Sequence, residues 1–179
     1  MARRLALAFA CLLAGCYNPV NEVTAGRYEH MCSEAERDGR LAAAEEACRR
    51  ALINVRVGHV GPAAESQALY NLGRVKRKAR KLDEAEVLLA ESLKVQDTVS
   101  PPDAVKTGRR LAELAALYGQ TGRYKEGWPY IERLMPVGNS YSGQERAVVK
   151  RIFQLYAQEY RKLGMQHEAT QLEEKLKAL

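Results

Sequence analysis

Apolar residues recur along most of this chain at intervals of three and four, which places them on one face of an α-helix. The stretch 68–93, ALYNLGRVKRKARKLDEAEVLLAESL, shows this spacing on both sides of a short basic segment. It therefore predicts two amphipathic helices joined by a tight turn. The strict apolar–polar alternation of a half-buried β-strand is missing from the sequence, so the pattern predicts an all-α fold.

The same helix–turn–helix pattern occurs four times. Its turns fall at Gly39, Arg80, Gly122 and Gly164, which are 41, 42 and 42 residues apart. A constant spacing of this size is typical of stacked repeats, each of which buries its apolar face against its neighbours. We therefore expect four helical hairpins in one array. The predicted helices are 20–38, 41–55, 62–78, 82–97, 101–118, 124–135, 144–163 and 166–178.

The fifth of these helices has the clearest predicted start. Ser100 is expected to cap it, Pro101 suits its first position, and Asp103 supplies an acidic residue in its first turn.

The first sixteen residues follow a different pattern. Arg3 and Arg4 precede an apolar run of ten residues, 5–14. Ten helical residues span about 15 Å, which is half of a hydrocarbon core of roughly 30 Å, so this run is too short to cross a membrane. A basic head before a short apolar run is typical of a secretory signal peptide.

The end of this segment, LAGC at 13–16, resembles the bacterial lipobox. The resemblance implies cleavage before Cys16, a diacylglycerol on its thiol and an acyl chain on the new N-terminus. Two or more acyl chains hold a protein firmly at a membrane. Tyr17 stands where an aspartate would resemble the signal for inner-membrane retention. The predicted location is therefore the periplasmic face of the outer membrane.

This interpretation divides the chain into a cleaved signal peptide, 1–15, a lipidated tether, 16–24, and a repeat domain, 25–179. The alternative is an ordinary cleaved signal that ends near a cysteine by chance. Cleavage lowers the formal net charge from +6 to +4, because Arg3 and Arg4 leave with the signal peptide. A mild positive charge on an exported protein favours acidic partners or anionic headgroups, and we expect no nucleic-acid partner.

The repeat domain resembles a known family. LYNLG at 69–73, followed by LDEA at 82–85, is similar to the tetratricopeptide (TPR) repeat. In that family, small residues on the two helices of a hairpin face each other and let the helices approach closely. The matching pairs here are all small: Cys32 with Ala44, Gly73 with Ala85, Ala115 with Gly127, and Ala157 with Ala169.

The repeat length departs from the family's usual unit of about 34 residues. A period of 42 residues resembles the longer kinesin-light-chain type of repeat. The resemblance implies a right-handed superhelical array of about four antiparallel helix hairpins.

In TPR proteins the first helices of successive hairpins line a concave groove that binds a protein or peptide. The resemblance implies a partly basic groove here, with one aromatic contact and arginines that bind carboxylates. Its expected residues are Tyr70, Arg74, Arg77, Lys78, Arg109, Arg151, Gln154, Arg161 and Lys162.

The sequence contains no motif that indicates catalysis. His30, His59 and His167 fall in different hairpins or loops, so they predict neither a metal site nor a catalytic pair. A nucleophile motif and a phosphate-binding glycine loop are also missing from the sequence. We therefore expect no enzyme activity, no metal and no cofactor.

Two cysteines of the repeat domain fall within one predicted hairpin. Cys32 lies on its first helix and Cys48 on its second. An oxidising periplasm would allow a disulfide between them. Two buried thiols that pack as small apolar residues are the alternative.

Together these features favour a lipid-anchored periplasmic TPR scaffold that binds a protein or peptide partner in an envelope assembly or secretion machine. The TPR lipoproteins of outer-membrane β-barrel assembly and the pilotins of type IV pilus secretins are similar in plan. One alternative is a structural envelope protein that binds anionic cell-wall or lipid groups through the basic run 76–81. Another is a cytoplasmic TPR regulatory module, if 1–16 is not a signal. The sequence indicates neither the partner nor the oligomeric state.

Overall fold

The computed structural model describes residues 17–179, so the signal peptide and Cys16 lie outside the described residues. Within 17–179 the chain forms eight α-helices, one short 3₁₀ helix and no β-strand. The prediction of an all-α fold is therefore confirmed. The helices are α1 (Pro19–Arg37), α2 (Leu41–Val57), α3 (Pro62–Lys78), α4 (Leu82–Gln96), α5 (Ala104–Gln120), α6 (Tyr124–Leu134), α7 (Gly143–Lys162) and α8 (Gln166–Ala178), and the 3₁₀ helix is Gly138–Ser140.

The helices pair into four hairpins that close through the same turn. Gly39, Arg80, Gly122 and Gly164 all have φ between 63° and 75°. Glycine adopts this left-handed region without strain, whereas Arg80 occupies it as a residue with a side chain. In each turn, the residue after the left-handed one donates its backbone N–H to the carbonyl oxygen five residues before it, at 2.9–3.0 Å. This is the hydrogen bond of a Schellman C-cap, and it satisfies a carbonyl at the helix end.

The hairpins stack in chain order. Each of the first helices α1, α3 and α5 contacts the first helix of the next hairpin, whereas within residues 17–179 the second helices make no comparable contacts with one another. The first helices therefore lie closer together and form the inner side of the array. We call this surface of α1, α3, α5 and α7 the inner face.

The buried apolar residues form two clusters. The first core is made of alanine, cysteine, leucine and valine side chains from α1, α2 and α3. The second core extends from Tyr70 to Leu172 and contains six buried aromatic side chains. The first core joins the first two hairpins, and the second core joins the last three, with α3 contributing to both.

A fully buried arginine lies at this boundary. The Arg110 Nε donates to the hydroxyl oxygens of Ser66, at 2.8 Å, and Ser92, at 2.9 Å. Its Nη1 donates to the carbonyl oxygen of Lys106 at 2.8 Å. Burial lowers the pKa of Arg110 to about 10, so its guanidinium still carries a positive charge at neutral pH.

The eight small residues that were expected to face each other within hairpins are all buried. At Gly73 an added Cβ would lie 2.8 Å from the Cγ of Leu89 on α4, so this glycine permits a close approach within its own hairpin. At Gly127 an added Cβ would overlap the hydroxyl of Tyr156 on α7. Gly127 therefore makes room for the next hairpin.

The N-terminal boundary differs from the prediction. Most of the expected tether, 16–24, belongs to α1, which begins at Pro19. The side chain of Asn18 accepts a hydrogen bond from the Val20 N–H at 3.0 Å and caps the helix. The backbone N–H of Asn18 also donates to the carbonyl of Gly58 at 2.8 Å. Asn18 and Pro19, which were expected to lie in the tether, are thus the cap and first residue of a helix.

The start of α5 also differs from the prediction. The helix begins at Ala104, not at Pro101, and its N-cap is Asp103 instead of Ser100. The Asp103 carboxylate accepts a hydrogen bond from the Lys106 N–H at 2.9 Å. This bond holds the pKa of Asp103 below its usual value. The two prolines therefore lie in the loop before the helix.

Candidate functional site

A cavity of about 160 Å³ opens on the inner face between α3, α5 and α7. Its walls are mainly apolar, with Ala112 on α5 and Val148 and Val149 on α7. The side chain of Val148 is half exposed, whereas Val149 is buried. The complete lining is Tyr70, Arg109, Ala112, Glu113, Tyr141, Glu145, Val148 and Val149.

An ion pair lies at the rim of this cavity. The Arg109 Nε donates to a carboxylate oxygen of Glu145 at 2.7 Å, which links α5 to α7. The hydrogen bond from Arg109 to Glu145 raises the pKa of Arg109. Both side chains remain substantially exposed. The cavity thus combines an apolar interior with one solvent-accessible charge of each sign.

Most cations expected in the groove are paired with the chain's own glutamates. Arg74 lies 2.5 Å from Glu36 on α1, and Lys78 lies 2.6 Å from the same carboxylate. Arg77 lies 2.7 Å from Glu113 on α5. These bridges join neighbouring first helices and hold the hairpins in register. The inner face is therefore less basic than the sequence predicted.

The remaining expected groove residues lie on α7. Arg161 pairs with Glu173 on α8, with two N···O distances of 2.6 Å, and Lys162 lies 2.7 Å from Glu159. Arg151 and Gln154 are exposed. The cavity lining thus includes Tyr70 and Arg109 from the expected set but none of its α7 members.

Tyr70 was expected to provide an aromatic contact in the groove, and its exposed fraction is only 7%. The guanidinium carbons of Arg74 and Arg110 lie 5.3 Å and 5.2 Å from its ring centroid. Burial raises the pKa of its hydroxyl. Tyr70 therefore packs against two cations and forms part of the cavity wall.

Val148 and Val149, which line the cavity, were not among the groove residues expected from the sequence. The sequence of α7 contains a pattern that could have indicated this surface. Val148 and Leu155 are seven residues apart and form a second apolar stripe on the helix. Both remain exposed, beside a core stripe that includes Phe153 and Tyr156. A helix that carries more apolar positions than its core needs is a candidate for partner contact.

The first hairpin contains a disulfide between Cys32 on α1 and Cys48 on α2, whose Cα atoms are 5.2 Å apart. Both residues are buried, and the small residues Ala44 and Ala47 are buried in the same core. The sequence left open whether these cysteines form a disulfide or pack as two free thiols, and the structure contains the disulfide.

Other site chemistry is sparse in the part of the chain that the structure describes. Within 17–179, no three His, Cys, Asp or Glu side chains lie close enough to hold a metal ion. His30 lies beside Glu34 on α1, His59 is in the turn after α2, and His167 is on α8. Over the same residues, no helix has both the length and the apolar character that a membrane crossing requires.

Comparison with solved structures identifies the architecture. BtubC (BKLC) from P. vanneervenii superimposes with a TM-score of 0.74 and is 17% identical, over 88% of this chain and 63% of that chain. The fold is a TPR-like solenoid. This chain thus spans 63% of the length of BtubC.

Two structures from Podosopora anserina, described as a kinesin light chain with nearly identical TPR-like repeats, give TM-scores of 0.64 and 0.65. Both are 17% identical over 86% of this chain, which covers 74% and 73% of them. No protein-family model and no curated protein matches the sequence.

Proposed function

We propose that this protein is a non-enzymatic scaffold that binds a segment of a protein partner on its inner face. The TPR-like fold suggests a protein-interaction scaffold. The observation that carries the proposal is the apolar cavity between α3, α5 and α7, with the Arg109–Glu145 pair at its rim. Apolar walls with a few polar groups at the edge are typical of sites that bind a ligand or side chain.

The size of the cavity suggests what enters it. A dry cavity of roughly 150 Å³ can hold a benzene molecule, so a cavity of about 160 Å³ has room for an aromatic or branched aliphatic side chain. Burying such a side chain contributes about 1.5–3 kcal/mol. Arg109 binds Glu145 through Nε, and its guanidinium has further N–H donors for a partner carboxylate. The expected ligand is therefore an extended or helical segment with an apolar side chain beside an acidic one.

We place this scaffold at the periplasmic face of the outer membrane, held by lipid on Cys16, in an envelope assembly or secretion machine. The support for the anchor is the sequence of residues 1–16, with its basic head, short apolar run and lipobox-like end. The disulfide between Cys32 and Cys48 is compatible with an oxidising compartment. The intact mass of the membrane-extracted protein, compared with a Cys16→Ser variant, tests the anchor directly.

The binding site is tested by site-specific photocrosslinking in intact envelopes. A photoreactive residue at Val148, in the cavity wall, should give a discrete adduct with one partner. Val87 on α4 is the control, because it is also an exposed helical valine, with exposed fractions of 66% at Val87 and 50% at Val148. Ala112→Asp should abolish the adduct at position 148 by placing a charge inside the cavity. Equal adducts at both positions, or an adduct that survives Ala112→Asp, would contradict the proposal.

The alternative function, binding of anionic cell-wall or lipid groups through the run 76–81, has less structural support. Lys76 and Lys81 lie 2.7 Å and 2.9 Å from Glu45 on α2. Much of the positive charge of this run is therefore neutralised within the protein. Arg80, in the turn, is exposed.

A further inference from the structure

Exposed apolar side chains are concentrated at one end of the first hairpin. Tyr17, Val20 and Val57 have exposed fractions of 54%, 69% and 65%, and Val23 and Ile53 lie about one turn further along. These five are half of the ten large apolar residues that are exposed within 17–179. Because α1 and α2 are antiparallel, the start of one and the end of the other lie at the same end. We call these five residues the hairpin tip.

The chain that leads into the hairpin tip is fixed to the body of the protein. The Asn18 N–H donates to the Gly58 carbonyl at 2.8 Å, and the Tyr17 hydroxyl bonds to the Glu22 carboxylate. An added Cβ at Gly58 would lie only 2.5 Å from the Cβ of Asn21, so the two helix ends pack closely. The expected tether therefore does not separate an anchor from the folded domain.

We propose that the hairpin tip rests on the bilayer surface, with its apolar side chains in the interfacial region. This inference depends on the proposed function, because it requires the lipid on Cys16. Cys16 directly precedes Tyr17 in the sequence, and one residue spans at most about 3.6 Å. The acyl chains would therefore hold the tip against the membrane.

The chemistry of the tip favours lipid over a second protein surface. Tyrosine is enriched at membrane–water interfaces, where its ring is apolar and its hydroxyl stays hydrated. Glu22, the acidic residue in the first turn of α1, accepts the hydrogen bond of the Tyr17 hydroxyl. The tip thus offers valine and isoleucine side chains for insertion, with a tyrosine at the position nearest to the lipid.

Tryptophan quenching by brominated lipids tests this contact. The lipidated protein, carrying Val57→Trp or Val87→Trp, is placed in phosphatidylethanolamine–phosphatidylglycerol vesicles with brominated acyl chains. Val87 on α4 is the matched control, since it is as exposed as Val57. The signal of the native Trp128 is subtracted by using the parent protein. We expect loss of fluorescence for Val57→Trp and none for Val87→Trp.

The outcomes separate this inference from the proposed function. A chain that carries lipid on Cys16 but shows no quenching for Val57→Trp, or equal quenching for both variants, overturns the membrane contact and leaves the anchor standing. A mature chain without lipid overturns both. Shielding of Val57→Trp from aqueous iodide in an unlipidated chain that begins at Tyr17 would show that protein covers the tip, which also overturns the membrane contact.

Discussion

The two cores of this protein hold their helices together with different kinds of side chain. The first core contains mainly alanine, leucine and valine, and the disulfide between Cys32 and Cys48 ties α1 to α2 within it. The second core contains six buried aromatic side chains, among them Phe153, Tyr156 and Tyr160. Small side chains bury little apolar area each, whereas aromatic side chains bury 150–250 Å² or so. The covalent link is therefore found where apolar burial contributes least.

The junction between the third and fourth hairpins shows what the aromatic residues add. Tyr156 donates to the Ala115 carbonyl and Tyr160 to the Tyr124 carbonyl, both at 2.8 Å. Tyr141 donates to the carbonyl of Val105 at 2.9 Å. These hydroxyls bond directly to the backbone of the third hairpin and fix its position. The first two hairpins are instead joined by charged bridges between glutamate and arginine or lysine.

Removing the disulfide should have the largest effect. We expect the Cys32→Ala/Cys48→Ala variant to lose about 2–4 kcal/mol of unfolding free energy, because the link no longer restricts the unfolded chain. Urea denaturation measures this loss, and hydrogen exchange should show it in α1 and α2 more than in α7 and α8. Reducing agent should destabilise the parent protein and leave the variant unchanged. An unchanged denaturation midpoint would contradict the prediction, as would labelling of both thiols in unreduced protein.

Adding one methyl group at Gly127 should disturb the second core. Alanine favours a helix over glycine by about 1 kcal/mol, but here its Cβ would overlap the Tyr156 hydroxyl. We expect Gly127→Ala to cost about 1–3 kcal/mol, the usual range for overpacking. Tyr156→Phe removes the overlapping hydroxyl, but the ring carbons Cζ and Cε1 stay 2.9 Å and 3.0 Å from the added Cβ. The double variant should therefore recover part of this loss in a double-mutant cycle measured by urea denaturation.

Gly26 is the control for that experiment. It is a helical glycine on α1 with nothing within 4 Å of an added Cβ. Gly26→Ala should therefore stabilise the protein by about 1 kcal/mol or less through helix propensity alone. If Gly127→Ala behaved like Gly26→Ala, the close contact between α6 and α7 would be contradicted.

The sequence was sufficient to predict the features that depend on local geometry. The four turns were located because a left-handed residue is needed where each hairpin closes, and glycine marks three of them. The small residues of each hairpin were found through the family resemblance. Their partners were only partly predicted, since Gly127 was paired with Ala115 on α5 but its nearest contact is Tyr156 on α7.

The charge of the inner face could not be predicted in the same way. Arg74, Arg77 and Arg109 were identified, but each meets a glutamate 36 to 38 residues away in the chain. Only the stacking register of the hairpins brings these pairs together. A helix taken alone therefore looks more basic than the assembled surface is, and the cavity forms only once three helices are in place.

The junction between the second and third hairpins includes a partly exposed charge pair that should respond to pH. Glu86 on α4 accepts hydrogen bonds from Arg123, at 2.6 Å, and from the Tyr118 hydroxyl, at 2.7 Å. The hydrogen bond from Arg123 lowers the pKa of Glu86, so folding favours its ionised form. Its stabilising contribution is therefore complete above the unfolded pKa of about 4.3 and is lost as the pH falls through the lower folded value.

We expect Glu86→Gln to lower the unfolding free energy by about 1 kcal/mol or less at pH 7, because both partners are partly exposed. The difference from the parent protein should shrink at pH 3, where more of Glu86 is protonated. Urea denaturation at the two pH values checks this. Glu132, an exposed glutamate on α6, provides the control, since Glu132→Gln should have little effect at either pH. An equal loss for Glu86→Gln at both values would contradict the pKa direction.

Replacing Arg110 with methionine should have the smallest net effect on stability, although this residue lies fully buried between the cores. No carboxylate within 17–179 forms an ion pair with its guanidinium, and its Nη2 has no hydrogen-bond partner in that part of the chain. The Ser66 and Ser92 hydroxyls each donate to the other's carbonyl, at 2.9 Å and 2.7 Å, so both keep a hydrogen bond without the arginine.

Methionine fills a similar volume without a buried charge, so the lost hydrogen bonds of Arg110 should be offset by the desolvation penalty that Arg110→Met removes. We expect its unfolding free energy to stay within about 1 kcal/mol of the parent value, whereas Arg110→Ala should be less stable because it leaves a cavity. Urea denaturation of both variants checks this. A loss of several kcal/mol in Arg110→Met would show that the arginine joins the two cores. A near-zero change would mean that each core is stable through its own packing, and that the polar layer sets their register at little gain in stability.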